Sequence, residues 1–124
     1  MGKTSRATAP ERQTLEGYSG AFAEIDDYTI AFEEYSEDAD LAPLFVGLPD
    51  DRCQAPHWGY VIRGKLAYTM ADGTVEEIGA GEAYYVGPGH TPRLYAGTEV
   101  VEFSPTAELA KTIEVVLRNS EGGT

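Results

Sequence analysis

Two histidines, one cysteine and one tryptophan are the whole stock of those residue types in this 124-residue chain. Cys53, His57 and Trp58 fall within six residues of one another, and His90 closes a Gly87-Pro88-Gly89-His90 turn. A thiolate and imidazoles are soft to borderline donors that suit a divalent metal such as Zn, Fe, Ni or Cu. Asp51 stands near enough in sequence to add a hard oxygen. These ligand types permit a metal without requiring one, because a single His in an all-β core is commonly just a hydrogen-bonded core residue.

The same residues also work without a metal. His57 would then be a general acid/base, since the free imidazole pKa lies near neutrality. His57 with Tyr60 forms the catalytic pair of that reading. Tyr68, Tyr84 and Tyr85 supply further phenols, and strand alternation places only some of the four inside. Burial and a neighbouring carboxylate would tune the imidazole in opposite directions. Cys53 has three readings: metal ligand, nucleophile, or small buried apolar filler. A Cys–His nucleophilic pair needs a third group to orient the His, and the sequence offers no convincing one. Trp58, one residue from His57, belongs on the opposite face of a regular strand.

The elements that must position these residues are β-strands. From Tyr18 onward, short runs of Tyr, Val, Ile and Phe alternate with turn residues. Strands are expected near 17–24, 28–35, 57–63, 65–70, 74–78, 82–86, 91–95 and 98–103. Asp26-Asp27, Asp72-Gly73, Gly79 to Gly81 and Ala96-Gly97 punctuate them, with Asp72-Gly73 as the clearest hairpin signal. Strands this short and evenly spaced predict an all-β sandwich or small barrel. One helix closes the chain, over about residues 105–118. Ser104 is expected as its N-cap and Pro105 at its first position, with Leu109, Ile113 and Val116 as an apolar stripe packed on the barrel's outside. Residues 1–14 hold three basic residues and one acidic, with Leu15 the first large aliphatic after Met1. They read as a disordered tail ahead of a single domain over 15–124.

At this point the sequence resembles the cupins. Asp51 to Gly64 (DRCQAPHWGYVIRG) looks like the first cupin motif, in which two histidines one residue apart precede a glutamate and then a glycine. Anchored on Gly64, the resemblance puts His57 at the glutamate position, Cys53 at the second histidine and Asp51 at the first. Gly81 to Pro92 (GEAYYVGPGHTP) resembles the second motif, with Pro92 where the last histidine would stand and His90 two residues earlier. The resemblance implies a cupin fold, a double-stranded β-helix or jelly-roll barrel with one C-terminal helix. The usual three-histidine, one-glutamate set is here Asp, Cys, His and Pro. The resemblance therefore implies a shifted metal set of Cys53, His57 and His90, with Asp51 as a further donor. It also covers cupin-like isomerases that work through a His and a Tyr.

Twenty-one acidic residues against nine basic ones give a net charge of −12. That balance excludes a phosphate-neutralising stripe and an anionic membrane surface, so neither nucleic acid nor membrane is expected as a partner. The first fourteen residues lack the apolar stretch of a signal peptide, and one cysteine forms no internal disulfide, so the expected compartment is the cytoplasm. The expected function is a small cupin that binds a divalent metal in the barrel mouth. It would act on a small hydrophobic oxygenated substrate by cyclase, isomerase or dioxygenase chemistry. Alternatives are a non-catalytic small-molecule or metal binder, a metal-free His acid/base isomerase, and a structural barrel with a degenerate site. An apolar outer face and exposed edges add the expectation of a homodimer.

Overall fold

A computed structural model describes residues 1–122. In chain order the strands are β1 (Glu11–Leu15), β2 (Tyr18–Ile25), β3 (Tyr28–Tyr35), β4 (Ala39–Asp40), β5 (His57–Arg63), β6 (Lys65–Met70), β7 (Val75–Gly79), β8 (Ala83–Val86), β9 (His90–Leu94) and β10 (Thr98–Pro105). The helix α1 (Thr106–Gly122) follows, and two 3-10 turns, Ala42–Phe45 and Pro49–Asp51, lie between β4 and β5.

Alternation and turn chemistry account for the long hairpin of β2 and β3. Asp26 and Asp27 both take positive φ (51° and 65°), the conformation a two-residue hairpin loop with the right twist demands and that Asp tolerates. At the β6–β7 turn, Gly73 takes φ +88° and Thr74 N–H donates to Asp72 Oδ1 at 2.8 Å. Antiparallel pairing yields a six-stranded sheet ordered β1-β2-β3-β10-β5-β8 and a four-stranded sheet ordered β4-β9-β6-β7. The inward rows of the two sheets meet in one apolar core that includes Val61, Leu66, Ile78, Val86, Leu94 and Val100. Gly64, the anchor of the first motif, has φ +76°, and a Cβ there would lie 2.6 Å from Thr98 Oγ1. Only glycine fits that corner.

The structure departs from the sequence reading at both ends. Residues 11–14, read as the end of a tail, form β1 together with Leu15, paired along its length with β2. Every β1 residue is exposed, so backbone hydrogen bonds rather than burial hold it, and no hydrophobic pattern announces it. Ahead of β1, Ala9 is buried and Arg6 reaches Glu99 at 2.8 Å. Ser104 is not a helix cap. The β10–β3 register runs on through Ser104↔Thr29 and Pro105↔Tyr28, so strand pairing overrides the local capping signal. The helix therefore starts at Thr106 and runs to Gly122, four residues beyond the expected end at 118. It does not lie on the barrel's outer wall. Val115 packs with Phe45, Leu48, Cys53 and Ala55, which lays α1 over the open end of the barrel.

Candidate metal centre and the barrel cavity

His57 opens β5 and starts its inward row, followed by Gly59 and Val61. Cys53 precedes that strand and is pinned to β9 by backbone bonds: its N–H donates to His90 O at 2.9 Å, and Gly89 N–H donates to Cys53 O at 2.8 Å. The two stretches carrying the scarce residues are thus stitched together by main chain. As a result one donor atom each from Cys53, His57 and His90 lies within 4.8 Å of the others, and all three side chains are buried.

Each imidazole has its orientation set from behind. His90 Nδ1–H donates to the Gly87 carbonyl at 2.6 Å, which sets the ring and turns Nε2 toward the cluster. That Nε2 is buried and makes no close hydrogen bond, and the His90 imidazole acts on the Cys53 sulfur. His57 Nδ1 meets Ser104 Oγ at 2.6 Å, and its Nε2 faces Cys53 Sγ at 3.7 Å. Thr112 of α1 brings its hydroxyl to 3.3 Å from the same sulfur. Burial pushes the Cys53 thiol up, but the two imidazoles, His57 first, outweigh it and bring it down to about 6. Burial likewise opposes the charge on His57, yet Glu102 and then the Cys53 thiolate raise it to about 9. Near neutrality, and with no metal bound, the pair is a thiolate beside an imidazolium.

No family model matches the chain and no curated protein matches it. Solved structures do. The polyketide cyclase RemF from Streptomyces resistomycificus is 15% identical with a TM-score of 0.58, over 86% of this chain and 80% of that one. An RmlC-like cupin from Shewanella frigidimarina is 15% identical with a TM-score of 0.53, over 77% and 83% of the two chains. This chain has the cupin fold. A variant of the Bacillus subtilis oxalate decarboxylase OxdC matches with a TM-score of 0.58 at 12% identity, and there the match spans 28% of the longer protein.

On this cupin barrel the two remaining expected site residues lie elsewhere. Asp51 is exposed in the Pro49–Asp51 turn, where its Oδ1 accepts from Gly47 N–H at 3.0 Å. Asp50 and Asp51 both have φ 55°, so no strand alternation carries Asp51 to the side of Cys53. The expected oxygen ligand is therefore not in the cluster. Tyr60 is also misplaced as a catalytic partner. It sits three residues from His57 on one strand, hence on the opposite face, and is 44% exposed. Trp58 and Tyr85 are outside with it, in ring contact at 4.9 Å. Tyr68 and Tyr84 are the inward phenols, both buried.

Sequence reasoning missed the acidic part of the interior. A cavity of ≈ 350 Å³ runs behind the Cys/His/His cluster, walled by Leu66, Leu94 and Val100 from the sheets and by Leu109, Thr112 and Val116 from α1. Glu33 of β3 and Glu102 of β10 project into it. Tyr84 OH donates to Glu102 Oε1 at 2.5 Å, Tyr68 OH donates to the same oxygen, and Tyr18 OH donates to Glu33 Oε2 at 2.5 Å. Burial first, and then the charge of Glu102, raise the Glu33 carboxyl from 4.5 to about 7. The available signal was alternation: Glu102 shares the inward row of Val100 and Ser104, a charged residue where the pattern calls for an apolar one.

Proposed function

We propose that this cupin binds a divalent transition metal through Cys53, His57 and His90. We also propose that it acts on a small, mostly apolar, oxygenated molecule held in the adjoining cavity. The convergence of three buried donor atoms, with His90 Nε2 making no close hydrogen bond, carries this reading. A buried polar atom left without a partner costs about 1–3 kcal/mol. Here the group is turned by the Gly87 carbonyl toward a sulfur and a second imidazole nitrogen, and one Cys with two His is a donor set suited to zinc, iron, nickel or copper. When bound, such a metal supplies Lewis-acid polarisation of a carbonyl or enolate oxygen.

The chain's own residues do the rest. The Gly87 carbonyl and Ser104 Oγ hold the two imidazoles in place, the usual supporting role behind metal-binding histidines. Glu33, with its carboxyl near 7, takes up or gives out a proton close to neutrality, whereas Glu102 accepts from two phenols. α1 covers the cavity and limits water. The likeness to a polyketide cyclase supports cyclase or isomerase chemistry by analogy of fold. A second reading keeps the thiolate–imidazolium pair of Cys53 and His57 as metal-free acid/base machinery. The lowered thiol and raised imidazole favour it, and in it His90 helps His57 to lower the thiol.

The test is metal add-back to chelator-treated protein, followed by competition with a coloured chelator. Near-stoichiometric uptake that falls at least tenfold in affinity in both His90→Ala and Cys53→Ser supports the metal reading. Absence of uptake for zinc, iron, nickel and copper overturns it in favour of the metal-free pair. We carry the homodimer as a proposal too, supported by exposed Trp58, Tyr60, Ile62, Tyr85 and Phe103 on the outer face of β5, β8 and β10.

A further inference from the structure

Among the described residues, the cavity holds the carboxyls of Glu33 and Glu102 and no Lys or Arg. Glu33 and Glu102 line the cavity, every other charged residue around it is acidic (Glu16, Glu37 and Asp38), and only the two histidines of the metal cluster offer any basic group. Two carboxyls in an apolar recess are costly to keep ionised, and the one cation that faces them is the imidazolium of His57. The protein answers only in part, with phenol hydrogen bonds. Both Tyr68 and Tyr84 donate to Oε1 of Glu102, which leaves Oε2 with no donor among the described residues. Tyr18 donates to Oε2 of Glu33, which leaves Oε1 in the same condition. The cost shows in Glu33, whose carboxyl is raised to about 7.

The recess is also aromatic. Tyr18, Phe22, Tyr35 and Tyr68 line it together with the two carboxyls. Tyr18 and Tyr35 meet edge to face with ring centroids 5.0 Å apart, which holds that wall rigid. Carboxylates flanked by aromatic faces are the arrangement that binds organic ammonium groups, through ion pairing and cation–π attraction. The recess, ≈ 350 Å³, has room for such a group and adjoins the Cys53, His57 and His90 cluster. The acidic rim and the net charge of −12 draw cations to the opening and repel anions.

We infer that this cavity binds a protonated organic amine, its ammonium seated at Glu33 and Glu102 and its apolar body against Tyr18, Phe22, Tyr35 and Tyr68. The inference deepens the functional reading above by giving the small-molecule partner a cationic end. It stands or falls without the metal.

Three probes of one shape and three charges test it: benzylamine, benzyl alcohol and benzoate, titrated calorimetrically at about pH 7.5 into full-length protein with its metal content measured in parallel. Benzylamine is expected to bind at least tenfold more tightly than benzyl alcohol, and benzoate not at all. Glu102→Gln and Glu33→Gln are each expected to weaken benzylamine at least tenfold, while Glu24→Gln on the exposed face changes nothing. Circular dichroism verifies that each variant is folded, and either Gln variant alone carries the test if the other is not. Equal or tighter binding of the alcohol, amine affinity indifferent to both substitutions, or no binding of benzylamine overturns the inference. Metal uptake without amine selectivity removes this inference alone, and amine selectivity without metal uptake removes the metal reading alone.

Discussion

Glu33→Gln should make the protein more stable at alkaline pH and leave it nearly unchanged under mild acid. Glutamine has the shape of the protonated carboxyl and never ionises. In the native protein the Glu33 carboxyl titrates near 7 instead of 4.5, because burial and the Glu102 charge disfavour its anion. The folded state thus holds a proton that the unfolded chain has released between those two values. Stability from this group is full below about pH 4.5 and is lost as pH rises through about 7. At 1.36 kcal/mol per pKa unit, the loss is at most about 3 kcal/mol, less whatever the part-open cavity screens. Urea unfolding of the parent and Glu33→Gln at about pH 4.5 and pH 8 measures it. The difference between the two proteins cancels the titrating groups that Glu33 does not touch, while His57, which Glu33 helps to raise, offsets part of the gain. The variant should gain up to about 3 kcal/mol on the parent across that interval. A gap that does not change with pH refutes the claim that Glu33 is buried beside a second carboxylate.

Other expected outcomes follow from single contacts. Gly59→Ala places a Cβ 2.3 Å from the Tyr84 ring, so the phenol must leave Glu102, and denaturant unfolding should show a loss of about 1–3 kcal/mol. Ser104→Ala removes the group behind His57 without opening the cavity, and chelator competition should show metal affinity reduced about 10–100-fold with thermal stability largely kept. Removing residues 1–15 strips β1 from β2 and breaks the ion pairs of Arg6 to Glu34 and Glu99; the melting temperature should drop by several degrees, whereas a disordered tail would leave it unchanged. Trp58→Glu puts a charge in the outer aromatic patch, and sedimentation should show the parent as a dimer and the variant as a monomer.

How much of this was legible in the sequence depends on which force placed each residue. β2, β3, β5 and β6 were readable within a residue or so, because alternating burial writes itself into residue type. β1 was not, since it is fully exposed and held by main-chain bonds that any residue can make. Ser104 misled because its local chemistry as a cap is genuine; only the long-range pairing with Thr29 shows that it belongs to a strand. The pairing of the Cys53–His57 stretch with His90 was suggested by scarcity and motif resemblance, and main-chain bonds between Cys53 and His90 are what bring the side chains together. Asp51 was proposed from its nearness in sequence and its motif position, but it lies in a 3-10 turn that leaves it outside the cluster. Tyr60 failed because odd spacing on a strand crosses to the other face. The Glu33–Glu102 pair joins two inward rows from distant parts of the chain, which no local window contains.

The most direct test of the metal centre is X-ray absorption on protein purified without chelator or affinity tag and loaded with one equivalent of zinc. The account predicts one sulfur at about 2.3 Å and two imidazole nitrogens at about 2.0–2.1 Å. The sulfur should vanish in Cys53→Ser, and one nitrogen in His90→Ala. A shell made only of oxygen and nitrogen, or a spectrum unchanged by either substitution, would contradict it.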